Sequence, residues 1–187
     1  MTTYEIIGNV LTGVGMFLFF LSCFLKRKKE ILLLQTGNHT LSSIGQIFLN
    51  QSSGSVQDAV SIVRNIFILL KKNNKFWNIF FIVLGVVLGI SLNVALNWND
   101  GFYMGLGFLP VFASFQYSVV ILFPNIKVPY IKASMAISCV CWTVYGLFLK
   151  NYSMAISNVI IFIAAIVAVI RYYVSIRNQE LEEPEEK

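Results

Sequence analysis

Six residues combine chemically capable side chains with strongly apolar surroundings: His39, Gln46, Ser61, Arg64, Trp142 and Asn158. Polar groups inside a membrane span are costly and usually face the bundle interior or a water-filled cavity. The six are therefore expected to line a pathway for a small polar solute or a small anion. Arg64 left unpaired in lipid would cost about 2.5–3.5 kcal/mol on insertion scales. It is either an anion-binding or gating charge, or a structural charge paired with neighbouring carbonyls or stretched toward the cytoplasmic face. His39, the single histidine, is either a proton shuttle or a hydrogen-bonded packing residue. Trp142 either stacks on a ring-shaped solute or packs in the core.

The spacing of the polar residues supports a shared interior. Gln35, His39, Ser42, Gln46 and Asn50 recur every three or four positions, which places them on one helix face. At about 100° per residue, Gln57, Asp58, Arg64 and Asn65 lie within about 60° of Ser61 on the next helix. Asp58 and Arg64 are about 120° apart, too far for an intrahelical ion pair. Ser134, Ser138, Cys141, Trp142 and Tyr145 form a third stripe, and Ser114 and Gln116 add to the interior. Pro110 interrupts its helix as a static kink or a hinge. No HExxH, GxSxG or Walker motif and no paired carboxylates within one span occur, so neither an enzyme nor a cofactor is expected.

The elements that carry these residues must be membrane helices. Of 187 residues, 57% are hydrophobic and 12% charged, against about 25% charged in a soluble domain; the mean hydropathy is +0.72. A span needs about 20 largely apolar residues, and seven candidates appear at about 5–25, 31–50, 55–71, 76–97, 102–123, 131–149 and 153–174. The second and third are the most polar. Met1–Glu5 lacks a basic signal-peptide region, so the first span is expected to stay in the mature protein. Cys23, Cys139 and Cys141 sit in apolar runs without zinc or disulfide spacing.

Charge orients the spans. Lys26, Arg27, Lys28 and Lys29, then Lys71, Lys72 and Lys75, then Lys127 and Lys132, and finally Arg171, Arg177 and Lys187 fall on alternate loops. Positive loops stay in the cytoplasm, which predicts an outside N-terminus and a cytoplasmic C-terminus. Clusters between apolar runs are not a nucleic-acid footprint. The segment 178–187, with five glutamates and a proline, is expected to be a disordered cytoplasmic tail.

Helix spacing suggests an internal repeat. Residues 1–75 form one triple-helix bundle, 76–100 a linker span and 101–177 a second bundle of the same orientation. Ile47-Phe48-Leu49 and Leu147-Phe148-Leu149 align at an offset of one hundred. Gly85 and Gly89 in the linker span allow close helix packing, within the chain or in a homo-oligomer.

The run Cys141-Trp142-Thr143-Val144-Tyr145-Gly146, followed by Asn151, Asn158 and Tyr172, resembles the second triple-helix half of SWEET sugar transporters and the wider PQ-loop superfamily. Asn151 stands where that superfamily has an acidic residue, and Ser42 near the first-half counterpart of Trp142. Ser61-Ile62-Val63-Arg64, Leu109-Pro110-Val111 and the Cys141-Trp142 pair are similar, over nearly the full length, to the YgjV family of bacterial inner-membrane proteins. The resemblance implies an all-α membrane protein of seven transmembrane helices arranged 3+1+3. It also implies a small-molecule transporter working by alternating access, or a scaffold or receptor of the same fold. Asn158 is singled out as a pocket residue by the family spacing.

Overall fold

In the computed structural model of the chain, residues 2–71, 74–123 and 125–182 are described. They form seven helices: α1 (Thr3–Ser22), α2 (Lys28–Phe48), α3 (Ser52–Leu69), α4 (Lys75–Asn97), α5 (Gly101–Leu122), α6 (Val128–Phe148) and α7 (Tyr152–Glu182). Local chemistry sets several of the starts. Thr2 and Glu5 form a reciprocal capping box. Asn74 Oδ1 accepts from Trp77 N at 3.0 Å and Asp100 Oδ1 from Phe102 N and Tyr103 N at 3.1 Å, so α4 and α5 open on side-chain caps. Proline in the first turn of α6 sits where its missing N–H costs nothing.

Five helices, α1, α4, α5, α6 and α7, contain stretches long and apolar enough to cross a membrane. In α2 and α3 the polar face dilutes the hydropathy, although 21 and 18 residues reach about 27–32 Å at 1.5 Å per residue. Both helices are inside out relative to a soluble protein. On α2, Gln46 is fully buried while Leu33 and Ile47 are more than 60% exposed; on α3, Arg64 is buried and Val63 is 47% exposed. Polar inward and apolar outward is the arrangement expected when lipid is the solvent.

Helices α1, α2, α3, α5, α6 and α7 close a ring in which each packs against the next and α7 returns to α1. The linker helix α4 stands outside the ring, against α3 and α5. Its Gly85 and Gly89 face α3: Gln57 Nε2 donates to Gly85 O at 2.9 Å, and its amide lies where a side chain on Gly89 would be. Serine and glutamine clasps tie the ring. Gln116 Oε1 accepts from Ser134 Oγ at 2.7 Å and its amide donates to Ser134 O at 2.9 Å, joining α5 to α6. Ser53 Oγ donates to Gly107 O at 3.1 Å, in the turn of α5 loosened by Pro110.

The turns after α2 and α6 are equivalent at an offset of one hundred. Leu49 N bonds Gly45 O and Leu149 N bonds Tyr145 O; Gln51 N bonds Gln46 O at 2.9 Å and Asn151 N bonds Gly146 O at 2.8 Å. Asn50 and Lys150 both take left-handed backbone, φ 56° and 57°. The two turns also touch, Asn151 Nδ2 donating to Gln51 Oε1 at 3.1 Å and Gln51 Nε2 to Leu149 O at 3.2 Å.

Helix α7 runs on to Glu182, into the segment read as a disordered acidic tail. Residues 183–187, with Lys187, and the loop lysine Lys72 lie outside the described residues.

Candidate functional site

The ring encloses a cavity to which all six of its helices contribute. Met16 and Phe19 come from α1; Gln35, Asn38, His39, Ser42 and Gln46 from α2; Asp58 and Ser61 from α3. Ser114 and Tyr117 come from α5, Ser138 and Trp142 from α6, and Met154 and Asn158 from α7. Its free space, about 50 Å³ for the centres of water-sized molecules, holds a few waters.

A carboxylate organises one wall. Asp58, 4% exposed, places Oδ1 2.6 Å from His39 Nδ1 and accepts from Gln46 Nε2 at Oδ2, 2.8 Å. This joins α2 to α3 and orients the imidazole so that its second nitrogen stays free for another partner. Gln46 in turn meets α3 at Gly54, where a Cβ would collide with its side-chain amide and lie 3.2 Å from Trp142 Cζ3. Glycine at this position lets the Gln46 and Trp142 side chains close on the α3 backbone. Gly54 N also donates to Tyr145 Oη at 3.3 Å, and Tyr145 supports Trp142 edge-on with ring centroids 5.7 Å apart.

Several polar groups around the cavity have unused capacity. Asn158 Nδ2 donates to Met154 O at 2.9 Å, whereas its Oδ1 has no partner. Gln35 Oε1 accepts from Tyr117 Oη at 2.5 Å, leaving Nε2 without an acceptor, and Gln46 Oε1 is likewise unmet. A buried unsatisfied polar group costs about 1–3 kcal/mol. Three such amides around one cavity have no partner within the protein, and water or a polar solute in the cavity is what can bond them.

Five of the six residues anticipated from sequence line this cavity: His39, Gln46, Ser61, Trp142 and Asn158. Arg64 does not. Its guanidinium donates to Asn65 Oδ1 from Nε at 3.3 Å and Nη2 at 3.1 Å, and from Nη1 to Ser118 Oγ. It lies 5.6 Å from the centre of the Tyr117 ring, a cation–π arrangement. About 60° around α3 from Ser61, it points to the α3–α5 contact and borders a void of about 10 Å³ beside α4. The guanidinium is thus held by side chains of α3 and α5.

Tyr117, Ser114 and Asp58 complete the site. Asp58 belonged to the polar stripe of its helix, but its partner His39 is visible only once α2 and α3 are in register. Tyr117 gives no signal among the aromatics of α5. Gln116, by contrast, is spent on the α5–α6 clasp. Among the described residues no group of three or more histidine, cysteine or acidic side chains is placed to hold a metal ion.

The family described as Imp-YgjV, bacterial inner membrane protein, matches residues 6–179. No curated protein matches the chain, and no solved structure does.

Proposed function

This chain belongs to the Imp-YgjV family of bacterial inner membrane proteins, and we propose that it is a facilitator that moves a small polar solute or small anion by alternating access. In this reading all seven helices cross the membrane, with the N-terminus outside and the C-terminus in the cytoplasm. Helices α1–α3 and α5–α7 are two parallel triple-helix bundles joined by α4, and the cavity between them is the transport site.

The observation that carries the proposal is the ring-enclosed cavity with three unmet amides and a His39–Asp58 pair. A core stabilised only by packing has no need of polar side chains turned toward free space, whereas a solute site does. Asn158, Gln46 and Ser61 would bond hydroxyl or amide groups of the solute, Trp142 would pack on its apolar or ring face, and His39 would offer its free nitrogen. Arg64, one layer behind, makes the potential of the site more favourable to anions without touching the solute. The role is binding and passage, with no bond-making chemistry.

The present free space is too small for such a solute, so binding requires the two bundles to separate. Purified protein in detergent should gain thermal stability from one class among sugars, nucleosides, vitamins and organic anions, because a ligand of the folded state stabilises it. That gain should vanish in Asn158→Ala while the variant stays folded, and flux into vesicles should vanish with it. No gain from any class, with Asn158→Ala indistinguishable from wild type, would instead assign the chain to a scaffold or receptor of the same fold.

A further inference from the structure

At the end of the ring opposite the 50/150 turns, α1 and α7 flank an open crevice of about 1150 Å³ whose floor is the start of α6. Four cationic residues from separate parts of the chain line it: Lys26, Lys127, Lys132 and Arg171; no acidic residue does. Lys132 is the informative one. It is 8% exposed, yet among the described residues its ammonium has neither a hydrogen bond nor an ion-pair partner. Its stem is packed against the bundle, so the ammonium is held facing the crevice, where an anion would complete it. The α6 N-terminus, which has no side-chain cap, adds its positive helix end to the same space.

The walls of the crevice are apolar. Phe24 and Val167 are 59% and 42% exposed, and Ala164 and Ala168 lie beside them. A charged head and an apolar flank, opening sideways between two helices, match one kind of occupant. We propose that this crevice binds the headgroup phosphate of an anionic phospholipid, with Lys132 and Arg171 as its principal contacts and an acyl chain along Phe24 and Val167. A free phosphate shares the headgroup chemistry but would make no use of the apolar wall. This site is separate from the central cavity and does not depend on transport.

Native mass spectrometry of the full chain in a neutral detergent tests it, with phosphatidylglycerol and phosphatidylcholine of identical chains as probes. Wild type should retain phosphatidylglycerol preferentially. Lys132→Gln and Arg171→Gln should each weaken that retention by about five-fold, the scale of one cation at an anionic surface. Lys29→Gln removes the same charge from an exposed position that does not line the crevice and should change nothing. Should Lys132→Gln fail to fold, Arg171→Gln carries the comparison alone. Equal retention of the two lipids, or an equal loss in Lys29→Gln, overturns the proposal. So does displacement of phosphatidylglycerol by millimolar inorganic phosphate, which would make the crevice a soluble-anion site.

Discussion

His39 Nδ1 and Asp58 Oδ1 meet at 2.6 Å between α2 and α3, and Gln46 holds the other carboxylate oxygen. The ion pair Arg27–Glu30, at 3.5 Å, joins exposed side chains one helical turn apart and contributes little. The buried contact is different, because removing Asp58 takes a hydrogen-bond partner from both His39 and Gln46 in a low-dielectric interior.

Asp58→Ala should therefore destabilise the protein by about 3 kcal/mol, within the range for breaking a buried pair. Asp58→Asn keeps hydrogen-bonding capacity and should cost less. Thermal or denaturant unfolding in detergent reads both. A double-mutant cycle with His39→Ala should return a coupling of at least about 0.5 kcal/mol; additive losses would show that the two side chains act independently.

Arg64 and Asn158 should separate stability from function. Arg64→Ala removes the bonds to Asn65 and Ser118 and the contact with Tyr117, and should lower stability by about 2–4 kcal/mol. Ligand affinity of the folded fraction should change far less than it does in Asn158→Ala. A selective loss of affinity in Arg64→Ala at unchanged stability would place the guanidinium against the solute.

The reach of sequence reasoning is clear from these two residues. Polar stripes on α2, α3 and α6 were legible from spacing alone, since a side chain as short as that of Ser61 goes where its helix face goes. Arginine is long enough to leave its face, and the direction it takes depends on Ser118, supplied by a helix 54 positions further on. No periodicity within α3 contains that information. The closing of six helices into a ring, with α4 left outside, was equally hidden. It depends on contacts such as α1 with α7 and α3 with α5, which join distant parts of the chain.

Gly54→Ala tests the three-way contact among α2, α3 and α6. The added Cβ forces the Gln46 amide away and presses on Trp142, so stability should fall by about 1–3 kcal/mol, as for other overpacked sites. Because Gln46 then releases Asp58, the effect of Gln46→Ala should be smaller in the Gly54→Ala background than in wild type.

Lys150→Gly should act in the opposite direction. Left-handed backbone costs a non-glycine residue about 1–2 kcal/mol, offset in part by the extra freedom of glycine when unfolded. A net gain of about 0.5–1 kcal/mol is expected at φ 57°, read as a higher unfolding midpoint. Asn50→Gly at the matching corner should gain less, because asparagine already tolerates this conformation.

The contact between those two corners has a kinetic meaning. Gln51 and Asn151 are the places where two equivalent turns grip each other, through a pair of hydrogen bonds made at one end of the ring. Any excursion that parts the two halves at that end must release both bonds, each with a net worth of about 1 kcal/mol. The resting population is thereby biased toward shut at that face, and in the transport proposed above entry from it would be the slow leg of the cycle. Gln51→Ala should shift the ratio of forward to reverse entry rates while leaving equilibrium accumulation untouched, since a latch can alter how quickly a gate swings but not the gradient across it.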